Sequence, residues 1–340
     1  MKIIFNALKW ISLSLGLLIA LVLLAGFTVK CFAPSAHPPG ELVDVGGFKL
    51  HVHATGERNE KPTLVLEAGA GAPGEYYHWI SEGLKDSLRV VRYDRAGIGY
   101  SELANTPRHP ETVARELHQL LELSGESPPY LMAGHSYGGH YIRIFTEMYP
   151  DEVAGMVFSD ATHPESSQRT NLPEEPWFVQ PLYHIAAVLG DVGVLHLVDQ
   201  MVGPILWAPG LPEEQLQRMK DYTKSGKYLR GYLEGDDRWG SELGTLAAQT
   251  DNFGDLPIQV FSGTNLNEAL LIKMGLDPNH IRTQRANMQQ ELADLSTEGE
   301  VFFMDGGHVT IFTLPEQADF ICRHILRRWS PDKEASDLTQ

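Results

Sequence analysis

Residues 130–139 read YLMAGHSYGG, a compact apolar run leading into Gly134-His135-Ser136-Tyr137-Gly138-Gly139, and an amphipathic helical pattern follows over 140–149. A strand that turns directly into a helix leaves little room around the turn. The central residue is forced into a strained backbone, and only small residues fit two positions either side of it. Gly134 and Gly138 stand at those positions and Ser136 at the centre. Such a turn holds the serine hydroxyl exposed and directs the next N–H, that of Tyr137, toward charge developing on a bound carbonyl oxygen. Ser136 is therefore the candidate nucleophile and Tyr137 a candidate oxyanion donor. With 32 glycines in the chain, G-x-S-x-G can arise by chance. Its position between an apolar strand and an amphipathic helix is what makes it specific.

The surrounding sequence has the same strand–helix rhythm. Short apolar runs bounded by Gly, Pro or Asp occur at 63–66, 89–93, 130–133, 155–159, 258–262 and 300–304, as expected of strands buried on both faces of a mostly parallel sheet. Residues 48–54 alternate apolar and polar, which predicts a half-exposed edge strand. Helical periodicity covers 111–123, 140–149 and 315–329, where Val113, Leu117, Leu120 and Leu121 share one face of the first. The predicted class is α/β, a doubly wound, mostly parallel sheet whose sites form at the carboxyl ends of strands. From about 161 to 255 the strand signal stops. That stretch carries Trp177, Trp207 and Trp239 and reads as a helical lid over one end of the sheet.

Residues 10–29, WISLSLGLLIALVLLAGFTV, carry no charge and would rise about 30 Å as a helix, the thickness of a bilayer's hydrocarbon core. Lys2 and Lys9 precede the run and Lys30 follows it. This bias predicts a single-pass anchor over 1–30 with the remaining chain on the non-cytoplasmic side. The alternative is a cleaved signal and a secreted or periplasmic protein, although no A-x-A-like cleavage site stands out. Residues 31–41, with Pro34, Pro38 and Pro39, form a short stiff linker, 42–329 the main domain and 330–340 a polar, frayed tail.

Composition narrows the function. Against 27 Lys and Arg stand 44 Asp and Glu, a net charge of −17, so an acidic surface repels phosphate backbones and nucleic acid is no expected partner. Two cysteines, Cys31 and Cys322, make no disulfide framework. No cofactor signature is present: the P-loop and the dinucleotide fingerprint are both missing. His51-x-His53 is a two-ligand pair without a matching third ligand, and no metal is expected.

Four segments in order resemble the α/β-hydrolase family (AB hydrolase-1 type). LVLEAGAG at 64–71 is similar to the strand and Gly-containing loop that donates the second oxyanion N–H, and YDRAGIGYS at 93–101 to the family's Asp-Arg-x-Gly-x-Gly-x-Ser turn. The elbow at 134–139 and DGGHV at 305–309, which resembles the histidine-bearing loop, complete the set. The resemblance covers about 42–329 and implies a fold, not a substrate. It implies His308 as general base and Ala70 as second oxyanion donor, with Gly71 if the loop is offset by one. Glu67, beside that hole, is expected to point away or to be paired. Asp94 and Arg95 are expected to brace their turn.

The acid departs from the family's usual pattern. Where an Asp is commonly found beyond the strand at 258–262, this chain has Leu266 in Gly263-Thr264-Asn265-Leu266-Asn267-Glu268. Two candidates remain, Asp160 at the end of the preceding strand and Glu268 on a shifted loop. The resemblance implies a serine hydrolase that cleaves a carboxylic ester, with a hydrophobic group, through an acyl-enzyme. Two alternatives stay open: an aminopeptidase or amidase of the same fold, and a non-catalytic ligand-binding protein on a hydrolase scaffold. Epoxide and haloalkane chemistry is disfavoured, since those relatives carry a carboxylate where Ser136 stands. The expected partners are a small-molecule ester and, through the N-terminal helix, a membrane; the oligomeric state is open.

Overall fold

The computed structural model describes residues 2–32, 38–173, 175–202, 208–237 and 239–331. Eight strands make one sheet: β1 (Glu41–Asp44), β2 (Lys49–Thr55), β3 (Thr63–Glu67), β4 (Val90–Tyr93), β5 (Tyr130–His135), β6 (Val153–Ser159), β7 (Ile258–Gly263) and β8 (Gly299–Met304). Their order is β1-β2-β4-β3-β5-β6-β7-β8, antiparallel from β1 to β4 and parallel from β4 through β8. Because β3 to β8 run parallel, their carboxyl ends lie along one edge of the sheet. The expected edge strand at 48–54 is instead second in the order. The short β1 pairs with it and takes the exposed position, so His51 and Val52 are buried.

The helices are α1 (Lys2–Phe32), α2 (His78–Leu84), α3 (Pro110–Leu123), α4 (Gly138–Met148), α5 (Ser166–Thr170), α6 (Val179–Asp191) and α7 (Val194–Val202). After them come α8 (Glu213–Thr223), α9 (Gly226–Tyr232), α10 (Gly240–Ala247), α11 (Glu268–Lys273), α12 (Pro278–Ala293), α13 (Thr310–Thr313) and α14 (Pro315–Trp329). Along β5 the pleat sends Tyr130 and Met132 into the apolar layer shared with α3 and α4, and Leu131 and Ala133 into the layer shared with α2 and α14. All four are at most 3 % exposed, and each large one contributes roughly 1.5–3 kcal/mol of burial. Among the described residues the stretch between β6 and β7 contains only helices, α5 to α10.

Helix α1 is exposed along almost its whole length. Gly26 is its buried residue. Its apolar side chains therefore face outward, which a soluble core helix would not tolerate; a membrane anchor and a signal sequence both account for it. Trp207, linker residues 33–37 and tail residues 332–340 lie outside the described residues. Ser330, assigned to the frayed tail, is in fact buried: its N–H bonds Leu326 O at 2.7 Å and its hydroxyl meets Lys61 Nζ. Cys31 is exposed, Cys322 buried, and both are free thiols.

Candidate active site

The elbow follows from three close approaches. A Cβ on Gly134 would lie 2.5 Å from Gly138 O, one on Gly138 2.3 Å from Glu67 O, and one on Gly139 2.5 Å from the Ala161 side chain. Strand, helix and the neighbouring β3 and β6 ends thus meet at backbone distance. Between them Ser136 has φ +52°, a left-handed conformation that costs a non-glycine residue about 1–3 kcal/mol. Two N–H groups hold it there: Gly139 and Thr162 both donate to Ser136 O at 3.0 Å. Ser136 Oγ lies 3.4 Å from Thr162 Oγ1.

Asp160 follows β6 in the same strained region, at φ +46°. Its N–H donates to Phe261 O at 2.6 Å, which pins the turn to β7. The carboxylate is 3 % exposed and fully bonded. His308 Nδ1 approaches Oδ2 at 2.6 Å, Arg285 Nη2 donates to Oδ1 and Oδ2 at 2.9 and 2.8 Å, and Gly263 N and Ser262 Oγ donate to Oδ1 at 3.2 and 3.3 Å. Burial alone would raise this carboxyl's pKa. The His308 hydrogen bond and the Arg285 charge outweigh it and hold the group well below the usual carboxylate range. A carboxylate that stays ionised is what orients an imidazole and stabilises its charged form. Glu268 is elsewhere: on the surface at the start of α11, it pairs with Arg282. Of the two candidate acids, Asp160 is the one beside His308.

His308 sits between β8 and α13, where Thr310 Oγ1 accepts from Gly307 N–H at 2.7 Å and tightens the loop. His135, inside the elbow, packs its ring 4.5 Å from the His308 ring and its Nε2 lies 2.8 Å from His308 O. Burial pushes His135 down to about 3. It is therefore neutral at pH 7, and since a carbonyl only accepts, its proton is on Nε2. The residue before Ser136 is thus tied to the backbone of His308.

The loop after β3 passes over the elbow: a Cβ on Gly69 would stand 3.0 Å from Ser136 Cβ. Ala70 and Gly71 follow, with Gly71 at φ +62° and its carbonyl accepting from Tyr228 OH at 2.7 Å. Arg95 donates to the carbonyls of Ala68 and Gly69, both at 2.6 Å, which fixes the loop. The same guanidinium and Tyr93 OH both bond the Glu67 carboxylate, so the expected pairing of Glu67 is seen and no bare charge faces the elbow. Arg95 thus braces the loop after β3 as well as its own turn. Tyr137 precedes α4, so its N–H belongs to the end of a helix that lacks intrahelical acceptors.

A cavity of about 640 Å³ opens beside the His308–Asp160 pair. Its lining includes Asp160, Arg285 and His308 together with the apolar Leu270 and Leu271 of α11 and Ile281 and Met288 of α12. Arg285 and Thr162 went unrecognised in the sequence. Arg285 is 125 residues from Asp160 with no local motif, and only the packing of α12 against β7 and β8 brings the two together.

His51 and His53 do not face a common ligand. His51 bonds Asp94 Oδ2 at 2.8 Å and Pro39 O at 2.6 Å, and His53 Nδ1 accepts from Arg92 Nε at 3.0 Å. Asp94 also accepts from Gly74 N at 2.8 Å and Tyr100 N at 3.1 Å, a bracing role. Among the described residues, His163, Glu165 and Glu291 bring three possible ligand atoms together, but Arg169 already pairs with both glutamates.

Residues 62–201 match the sequence profile of the alpha/beta hydrolase fold. YbdG of Bacillus subtilis is 30 % identical over 172 residues, 48 % of this chain and 52 % of YbdG. A proline iminopeptidase of Lactobacillus helveticus is 31 % identical over 121 residues, 33 % of this chain and 40 % of that protein. The chain spans about half or less of the length of the curated relatives it matches. Among solved structures, an esterase from Thermogutta terrifontis superposes with TM-score 0.55 at 18 % identity, covering 86 % of this chain and 99 % of that one. A mutant of a putative epoxide hydrolase from Pseudomonas aeruginosa superposes with TM-score 0.60 at 16 % identity, covering 87 % and 98 %. At such identities the likeness is one of fold.

Proposed function

We propose that the chain, whose residues 62–201 match the alpha/beta hydrolase fold, is a serine hydrolase that cleaves a carboxylic ester through an acyl-enzyme, held at a membrane by α1 with its catalytic domain on the non-cytoplasmic side. The observation that carries the reading is the buried Asp160 carboxylate 2.6 Å from His308 Nδ1, with the His308 ring packed 4.5 Å from that of His135, the residue before a serine at a positive-φ elbow.

In this reading Ser136 Oγ attacks the ester carbonyl while His308 Nε2 takes its proton. The oxyanion of the tetrahedral intermediate is met by the N–H groups of Ala70 and Tyr137. Collapse breaks the ester bond, and His308 returns the proton to the departing alcohol. Water then attacks the acyl-Ser136 carbonyl with His308 again as base, releasing the acid. Asp160 keeps the Nδ1 proton of His308 in place and balances the imidazolium. The apolar Leu270, Leu271, Ile281 and Met288 in the cavity lining suit a hydrophobic acyl or alcohol group.

Fluorophosphonate labelling of the full chain tests the mechanism. Labelling of the wild type that disappears in Ser136→Ala and drops sharply in folded Asp160→Asn supports it; a folded wild type that takes no label overturns it. The similarity to a proline iminopeptidase favours a second reading, cleavage of an aminoacyl amide. Preference for an aminoacyl amide over every ester in a chain-length panel would decide for it.

A further inference from the structure

Helix α1 is clamped to the helices between β6 and β7 at one defined level. A Cβ on Gly26 would lie 2.9 Å from the backbone of Gly193 and Val194, and one on Gly193 2.2 Å from Gly26 O. Lys30 Nζ donates to Asp191 O at 2.6 Å. The apolar run of α1 ends at residue 29. When that run fills the hydrocarbon layer, the junction of α6 and α7 is therefore held at the layer's boundary.

Helix α6 leaves from this junction, and its burial is divided sharply. Ala187 and Gly190 are buried, with Gly190 and the Ala187 carbonyl against Gly226 of α9. On the other face Leu182, Ile185 and Val188 are 55 %, 55 % and 59 % exposed, and just before the helix Phe178 and Trp177 are 48 % and 86 % exposed. Residues 177–190 contain no Asp, Glu, Lys or Arg. His184 is exposed among them. A soluble monomer exposes apolar residues singly, whereas a helix without Asp, Glu, Lys or Arg that exposes a mainly apolar face with an aromatic pair at its end has the form of an interfacial membrane helix. The net charge of −17 offers no attraction to anionic headgroups, so apolar insertion has to supply the binding.

We propose that α6 lies in the interfacial layer of the bilayer crossed by α1, with Trp177, Phe178, Leu182, Ile185 and Val188 set among the upper acyl chains. This rests on α1 being retained as an anchor, and it deepens the hydrolase reading by naming the substrate class: an apolar ester dissolved in the bilayer. Leu172, 46 % exposed, lines the cavity beside His308 and lies seven residues before Val179 at the start of α6. An ester drawn from the acyl chains would reach the cavity from that side without crossing bulk water.

The test uses the full chain in phosphatidylcholine vesicles whose lipids are brominated near the top of the acyl chains. The emission lost on Trp177→Phe is expected to be blue-shifted and quenched by the bromines. Leu182→Glu/Ile185→Glu is expected to slow hydrolysis of a bilayer-resident ester roughly tenfold, and to leave a water-soluble short-chain ester within about twofold. Unquenched, red-shifted Trp177 emission overturns the proposal, as does equal loss on both esters, or a Trp177 buried in a concentration-dependent dimer. If no ester is cleaved, the hydrolase reading fails while the quenching still decides the docking. A mature chain without α1 overturns the docking and leaves the hydrolase reading standing.

Discussion

Arg285, on α12, donates through one nitrogen to both carboxylate oxygens of Asp160 while His308 Nδ1 takes the outer one at 2.6 Å. The Asp160 carboxylate is thus held from two sides, and at 3 % exposure it keeps its charge because both sides carry donors. Replacing Arg285 with Met is expected to lower kcat roughly tenfold by loosening Asp160. The acid limb of the pH–rate profile should move to higher pH, because a positive charge beside the Asp160–His308 pair is gone. Arg285→Lys, which keeps the charge, should restore the profile more than the rate. A profile unchanged in Arg285→Met would show that the arginine only packs.

The two candidate acids separate cleanly by substitution. Asp160→Asn is expected to reduce kcat on the order of 10³–10⁴-fold by leaving the imidazole unoriented. Glu268→Gln removes only an exposed pair with Arg282, and should leave activity within about twofold and stability within about 1 kcal/mol. Steady-state kinetics on the two variants side by side checks both.

Gly138→Ala would push a methyl group to 2.3 Å from Glu67 O, and neither backbone can retreat without opening β3 from β5. We expect at least about 3 kcal/mol of destabilisation, read from the urea midpoint, or an insoluble chain. Gly235→Ala, which meets nothing within 4 Å, is the control and should be near neutral.

Stability should carry a signature of buried neutral histidine. Burial pushes His140 down to about 3, whereas in the unfolded chain it takes a proton near pH 6.5. Between these values the unfolded state binds the extra proton, so this part of the stability is whole above pH 6.5 and is lost as pH falls toward 3. The slope is about 1.4 kcal/mol per pH unit for one group. His140→Gln should therefore flatten the pH dependence of unfolding between pH 6 and 4 by about that amount, as measured by denaturant titration at several pH values.

Local chemistry settled much of this protein in advance. The elbow was legible because its demands are local: a strained serine with small residues two positions away is written in six consecutive residues. The strands at 63–67, 130–135 and 258–263 were legible because strands buried on both faces have to be apolar throughout. The apolar run of α1 was plain for the same reason, since length and lack of charge are local properties.

Partnership across the sheet was not legible. Asp160 and Glu268 were equally carboxylates in the sequence; the adjacency of β6 and β7 and the packing of α12 put one beside His308 and the other on the surface. The edge position assigned to residues 48–54 went to β1 because alternation reports which face is buried, not which strand lies alongside. Arg285 and the clamp between Gly26 and Gly193 joined residues more than a hundred positions apart through contacts that leave no trace in spacing or composition. Periodicity and turn chemistry act over a few residues and can be read from the chain, whereas the choice between two equivalent side chains is made by which elements pack together, and that is decided only when the whole core closes.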